Sequence, residues 1–376
     1  MRKKRPEGYA AHDRSVCHVE ITPIDGMPRV WREARSALEN GYTVTVIGEG
    51  DSTVYNGIPY IGFEKVGRWK RIFSRSRKML KAAVETGASI IQIHSPEFLL
   101  HHRYLKKQGK IVIFDSHEFY AVQIENKSYI PAFLRKITAR LYKRYETRVC
   151  RKIDCVFFPC TIDGKNYFEG RAKRSVKIEN YSYLMPRPTA TNRPDEYYVI
   201  HAGALTEDRG ITVLSEAVTK TACKLILCGK FSSEEYKNTI LSSSDKIVYK
   251  GVVKREELFD LYAQSRIGIC TLLPVGQYAR LDNMSTKVYE YMQCGLPVIM
   301  SNFDCYQKWN GKYSFGLCVD PTDPRAIADA IEYLIRHPDE ADRMGQNGRK
   351  AVGTEFNWEK ESQKMLTVYQ QLADDR

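Results

Sequence analysis

Short β-branched runs alternate with stretches of helical periodicity along almost the whole 376-residue chain. In the first half the strand candidates are VCHVEI (16–21), TVTVIG (43–48), IPYIGF (58–63), SIIQIH (89–94), KIVIFD (110–115), CVFFP (155–159) and VKIEN (176–180). In the second half they are YYVIHAG (197–203), KLILCG (224–229), KIVYKG (246–251), IGICT (267–271), PVIMS (297–301) and GLCVD (316–320). Apolar residues at helical spacing fill the intervals, as in RVWREARSALEN (29–40) and REELFDLYAQS (255–265). Alternating β and α elements predict parallel sheets covered on both faces. The pattern breaks at 181–196, where three prolines and no periodicity predict a linker. Two α/β domains of doubly wound, Rossmann-like type are therefore expected, residues 1–190 and 191–356. The helical segment 357–376 is expected to cross back onto the first. In such folds ligands lie outside the carboxyl ends of the strands, which places the expected site in a central cleft that both domains face.

Composition fits this picture. A chain of this length exceeds what one core usually supports, and 43% hydrophobic with 27% charged residues is ordinary for a globular protein. No apolar run approaches the roughly 20 residues that span a bilayer, and the basic N-terminus MRKKRPEGYAAHDRS lacks the apolar stretch of a secretory signal. A cytoplasmic location is expected. Ten cysteines include no Cys-x-x-Cys pair, and Cys17, Cys223, Cys228, Cys270 and Cys318 fall in or beside strand candidates, where a thiol packs as a small hydrophobe.

The strand ends hold the candidate chemistry. HAGALTEDRGITVLSEAV (201–218) runs from strand through a glycine-bearing loop into a helix. Gly203 permits close backbone approach, and Arg209 precedes Gly210 at the helix start, where free N–H groups welcome an anion. CGKF (228–231) repeats the arrangement with Gly229 and Lys230. In DNMSTKVYEYMQCGLPVIM (282–300), Ser285 or Asn283 is expected to cap a helix that starts near Thr286 and Lys287. Glu290, one turn on, shares their face. A carboxylate behind a phosphate site suits the vicinal hydroxyls of a ribose. Three anion-friendly strand ends together are far more specific than any one of them, each of which alone reads as an ordinary turn. In the first half, IHSPEF (93–98) and FDSHEF (114–119) set His94 and His117 at neighbouring strand ends, to meet a substrate or to cap local backbone.

These segments together, HAGALTEDRGI, LILCG, VYKGVVKREELFDLYAQSRIGICTLLP and STKVYEYMQCGLPVIMS, resemble the second domain of the family 4 glycosyltransferases, retaining enzymes with the GT-B fold. MPRVWREARSALENGYTVTVIG and DSHE resemble parts of the first domain. The resemblance implies a nucleotide-diphosphate sugar as donor and a saccharide or polyprenyl-linked hydroxyl as acceptor. It also implies transfer of a hexose or N-acetylhexosamine with retained configuration, in cell-surface polysaccharide or glycolipid assembly. In the family's acidic-x7-Glu motif, Glu290 takes the ribose-binding position and Asp282, shorter than the usual glutamate, the position beside the transferred sugar. Arg209 stands for the basic residue before glycine that grips the diphosphate. Ala204 stands where many members have an arginine, so that one phosphate contact is either lost or supplied by Lys230 or Lys287. His94 matches the histidine near the reacting sugar, His117 ends the next strand, Gly26 is what remains of a glycine-rich loop, and Val252 and Val253 lie where backbone meets the base. No Asp-x-Asp motif stands in a suitable context, so no metal and no cofactor beyond the donor are expected. Domain closure is expected to complete the site and exclude water.

The net charge of +13 is unevenly placed. KVGRWKRIFSRSRKMLK (65–81) holds eight basic residues and no acid, and LRKITARLYKRYETRVCRK (134–152) eight against one. Ile72, Phe73, Met79 and Leu80 in the first, and Leu134, Ile137, Leu141, Tyr145 and Val149 in the second, form apolar stripes expected to pack on the sheet and turn the charge outward. Such a surface suits anionic lipid on the inner face of the plasma membrane. Nucleic-acid binding, an epimerase acting on nucleotide sugars and a non-catalytic relative are the competing readings. No zinc-finger, RNA-recognition or homeodomain signature supports the first, so no nucleic-acid partner is expected.

Overall fold

The computed structural model describes residues 14–126, 130–184 and 197–375. The basic N-terminal residues and most of the proline-rich segment 181–196 lie outside these. Two compact units divide the chain. The first takes the residues up to Cys160, Lys165–Asn180 and Glu361 onward, and the second takes Thr161–Gly164 and Tyr181–Lys360.

The first unit carries β1 (Ser15–Pro23), β2 (Thr43–Glu49), β3 (Thr53–Tyr55), β4 (Ile58–Phe63), β5 (Ile90–Ile93), β6 (Ile111–Asp115), β7 (Cys155–Phe158) and β8 (Ser175–Lys177). They form one sheet in the order β3-β4-β2-β1-β5-β6-β7-β8, parallel except for the β3–β4 hairpin at its edge. The second unit carries β9 (Tyr198–Ala202), β10 (Lys224–Cys228), β11 (Ile247–Gly251), β12 (Ile267–Cys270), β13 (Val298–Ser301) and β14 (Gly316–Val319), all parallel, in the order β11-β10-β9-β12-β13-β14. In each sheet the order reverses beside the first strand, the topology that leaves a crevice at the carboxyl edge. Strands β5, β6, β12 and β13 are buried along their full length. Helices cover both faces of these sheets, which is why their sequences read as unbroken apolar runs. Nine of the ten cysteines are buried and all are free, in keeping with their reading as core residues.

The two basic stretches depart from expectation. Residues 65–81 do not form one helix: a short turn at Arg68–Lys70 runs into a π-helix at Arg71–Arg75 and then a regular helix at Ser76–Glu85. Met79 and Leu80 are buried, but Phe73 is exposed and stacks on exposed Trp69, ring centroids 6.2 Å apart. Arg75 points inward, bonding Glu49 at 2.7 Å, so not every cation of the stretch faces solvent. In the Ala132–Cys150 helix the stripe at Leu134, Ile137 and Leu141 is exposed as well, and does not pack on the sheet. The buried side is instead Ala139, Glu146, Val149 and Cys150. Small residues let this face approach closely, and Arg171 neutralises Glu146 at 2.7 Å.

Candidate active site

The second unit gathers its polar groups at the carboxyl ends of β9, β10 and β12. Gly203 and Gly229 follow β9 and β10 with φ of 141° and 140°, and a Cβ on Gly229 would lie 1.7 Å from the Gly203 carbonyl oxygen. Only glycine lets these two turns meet. Gly210, at φ 76°, precedes the Ile211–Thr219 helix, and a Cβ there would lie 2.0 Å from the Thr271 carbonyl oxygen. Arg209 is thereby fixed in place, its guanidinium 5.1 Å from the Tyr278 ring. The Tyr278 hydroxyl donates in turn to Asp208.

Thr286–Cys294 forms the expected helix, but neither Ser285 nor Asn283 caps it with a side chain. The Ser285 hydroxyl engages Cys270 instead. The helix start therefore has no side-chain cap among the described residues, and of its first-turn N–H groups the Val288 N–H is bonded to the Ser285 carbonyl, leaving the Thr286 and Lys287 N–H groups to face a ligand. Lys287 donates to Glu290 Oε2 at 2.8 Å, and the Tyr262 hydroxyl donates to the same oxygen at 2.8 Å. Oε1 has no partner among the described residues. Burial and then the Glu290 charge push the Tyr262 hydroxyl well above its ordinary pKa, so it stays a donor. His201, buried on β9, donates from Nδ1 to the Ile269 carbonyl at 3.1 Å. Burial, with Arg209 and Lys287 nearby, brings it down to about 4. A neutral ring beneath two cations keeps the positive charge at the surface of the site.

The first unit encloses a cavity of about 940 Å³ at the carboxyl ends of β1, β5 and β6. Glu20, Arg29, His94, His117 and Glu118 are among its polar lining, Gly26 also borders it, and Ile72, Leu100, Ile124 and Ile130 make part of it apolar. Behind it lies a buried chain of charge. Arg29 holds both oxygens of Asp115, Nε to Oδ2 at 2.7 Å and Nη2 to Oδ1 at 2.9 Å. Burial raises the Asp115 carboxyl, but the Arg29 charge and then His117 and His94 more than offset it, and it is held well below the usual carboxylate range. Glu33, 3.1 Å from the same guanidinium, is pushed well up by burial and by Asp115. Gln92 donates to Glu33, and Tyr369 of the C-terminal helix donates to Gln92.

His94 Nδ1 lies 3.2 Å from Asp115 Oδ2 and 3.1 Å from His117 Nε2, and its Nε2 lies 3.0 Å from His18 Nδ1. Both nitrogens of His94 are thus engaged inside the protein, and burial lowers its pKa. His117 is the more open ring, its side chain 29% exposed, with only Nε2 turned inward. Two sets of side chains, His18 with Glu33 and His94, and His94 with Asp115 and His117, bring ligating atoms within 4.8 Å of one another. Arg29 on both oxygens of Asp115 opposes a cation at the second set.

Residues 24–170 match the family model described as glycosyltransferase family 4, and residues 187–351 the model described as glycosyl transferases group 1. The chain belongs to the family 4, group 1 glycosyltransferases. Among solved structures, sucrose-phosphate synthase from Thermosynechococcus elongatus superposes with a TM-score of 0.75 at 19% identity, over 96% of this chain and all of that one. Anabaena HepE, solved in complex with UDP and glucose, gives 0.72 at 12% identity over 95% of this chain and 100% of that one. The fold is GT-B. Spore coat protein SA of Bacillus subtilis is 25% identical over 127 residues, 34% of this chain and 32% of that protein. The D-rhamnosyltransferase WbpZ of Pseudomonas aeruginosa is 21% identical over 229 residues, 57% and 58% of the two chains. The chain thus spans about a third and just over half of the length of these curated relatives.

Within this family member, Gly203, Arg209, Gly229, Lys230, Ser285, Thr286, Lys287 and Glu290 fall at neighbouring strand ends and at the start of one helix of the second unit. Val252 is exposed and Val253 packs on the core edge beyond β11. Asp282 accepts from the Thr161 backbone N–H through Oδ1 at 2.6 Å, so it also ties down its own segment. Gly26, His94 and His117 line the first unit's cavity. Sequence reasoning missed Tyr262, Arg29, Glu33 and the role of Asp115. All four stand in segments quoted above, but no local pattern marks what they do, and Asp115 and its partner Arg29 are 86 residues apart.

Proposed function

We propose that this glycosyltransferase moves a hexose or N-acetylhexosamine from a nucleotide-diphosphate sugar to an acceptor hydroxyl, with retention. The setting is assembly of a cell-surface polysaccharide or glycolipid at the cytoplasmic face of an anionic membrane. The observation that carries the reading is the second unit's arrangement. Arg209, Lys287 and an uncapped helix start supply positive potential, and one turn away Glu290 keeps Oε1 open to accept from hydroxyls. That pairing suits a diphosphate next to a ribose. The UDP and glucose in HepE and the rhamnosyl transfer named for WbpZ support it.

In this reading the diphosphate leaves onto Arg209, Lys287 and the helix N–H groups. These are dipoles and charges fixed before the reaction, so they stabilise the departing anion without reorganising. Lys230 adds a further cation, and the protein's own cations do the work of a divalent metal. The first unit's cavity receives the acceptor. Thr22 Oγ1, Glu97 Oε2 and Tyr145 Oη on its wall are buried with no hydrogen-bond partner among the described residues, as fits a hydroxyl-rich ligand. His117 meets that ligand, with Asp115 behind it favouring a proton on Nε2. His94 acts through Asp115 as a positioning residue. A thermal-shift screen of UDP-, GDP- and ADP-sugars tests the reading: one base series should stabilise the protein, and stabilisation by none overturns it.

A further inference from the structure

Two edges of the first unit combine exposed apolar residues with exposed cations, and both border the same cavity. On the first, Trp69 and Phe73 are 73% and 59% exposed and stacked with their planes 6° apart. Arg68, Lys70, Arg77 and Lys78 around them are exposed as well. Arg68, Arg71 and Ile72 of this edge line the cavity. On the second, Phe133, Ile137 and Leu141 are 77%, 52% and 58% exposed. At 3.6 residues per turn they fall with Leu134 inside an arc of about 100°. Thr138, Tyr142 and Tyr145 on one flank of that arc line the cavity. Lys136 and Arg140 on the other flank are exposed, and exposed Arg144 falls within the arc itself.

We infer that these two edges insert their apolar residues into the interfacial layer of an anionic bilayer, so that the cavity opens toward the lipid. The inference deepens the proposed function and rests on its membrane setting, but changes its physics. Docking by charge alone leaves aromatic rings in water, whereas here the stripes would be buried. Charge complementarity selects this occupant. A second copy of the chain would press one cation-rich face against another, while anionic headgroups neutralise the flanking cations as the apolar stripe enters the acyl boundary. An acceptor anchored by an apolar chain then reaches the cavity between Ile72 on one edge and Ile130 near the other without crossing water.

Flotation of the full chain with vesicles of phosphatidylcholine, with and without phosphatidylglycerol, tests this at low salt and at about 1 M salt, where screening acts within roughly 3 Å. The inference predicts recovery with the anionic vesicles and a fraction that persists at high salt. Trp69→Ser/Phe73→Ser and Ile137→Ser/Leu141→Ser should each weaken vesicle partition roughly tenfold and remove the persistent fraction, because each pair deletes two large buried-on-binding side chains. Brominated lipid should quench wild-type tryptophan fluorescence but quench the Trp69→Phe protein far less. Binding abolished by salt and indifferent to the apolar substitutions would overturn insertion, as would a stable dimer in light scattering that the same substitutions dissociate. Donor-sugar thermal shifts on the same proteins, without vesicles, keep the two readings apart. Loss of donor stabilisation alone counts against the transferase reading, and loss of flotation alone against this one.

Discussion

Replacing Glu290 with glutamine isolates the role assigned to this carboxylate. The side chain keeps its size and an oxygen that can accept from Tyr262, whose hydroxyl now donates at 2.8 Å. It loses the charge that pairs with Lys287 at 2.8 Å. The two side chains of that pair are 24% and 16% exposed, so solvent screens it and its loss costs about 0.5–1 kcal/mol of stability. For a chain of this length that corresponds to a fall in Tm of only about 1 °C. Donor binding should suffer more. Ribose hydroxyls that donate to an ionised carboxylate contribute about 1.5–3 kcal/mol, so affinity should drop about 10- to 150-fold. Titration calorimetry with the nucleoside diphosphate gives the first number, and the same titration with its 2′,3′-dideoxy analogue gives the control. The analogue should bind wild type weakly and be almost insensitive to the substitution, because the partner hydroxyls are already gone. Equal loss for both nucleotides would refute the ribose contact. So would a protein that unfolds while its donor affinity survives, which would make Glu290 a structural tie.

Asp115→Asn removes the buried partner of Arg29 and should cost about 3–5 kcal/mol in urea unfolding, toward the low end because Glu33 stands beside the same guanidinium. A loss below about 1 kcal/mol would mean the chain of buried charge is not coupled as described. Stability should also fall on acidification. Burial depresses His18, His94 and His201, so below 6.5 the unfolded chain takes up protons that the folded one refuses until, at His201, about 4. The contribution is complete above pH 6.5 and lost downward, about 3 kcal/mol at most for His201. Glu33 and Glu146, both raised, oppose this by losing stability as pH rises from 4.5. His201→Gln should flatten the Tm profile between pH 6.5 and 4, and an unchanged slope would contradict the assignment. Exhaustive dialysis against a chelator should leave transfer intact, whereas loss restored by added metal would assign one of the two histidine–carboxylate sets a cation.

What could be read from the sequence follows the range of the interactions. Strands β5, β6, β12 and β13 were legible because they are covered on both faces and must be apolar throughout. The Lys287–Glu290 pairing was legible because three residues along a helix is a local spacing. The short β3 strand escaped notice although Asn56-Gly57, at φ 50° and 79°, is the usual signal of a tight hairpin. The Arg29–Asp115 and Tyr262–Glu290 contacts join residues far apart in the chain, and no local pattern announces them. The exposed stripe at Leu134, Ile137 and Leu141 shows the limit of periodicity. It tells that a helix has an apolar face, not whether the protein itself or something else covers it.

The central claim is tested most directly by following a panel of nucleotide sugars by proton NMR with the protein and a lipid-linked saccharide fraction. The account predicts that one donor is consumed, nucleoside diphosphate is released, and the new glycosidic anomeric proton keeps the donor's configuration. An inverted anomer, or an isomerised nucleotide sugar with no diphosphate released, would contradict it.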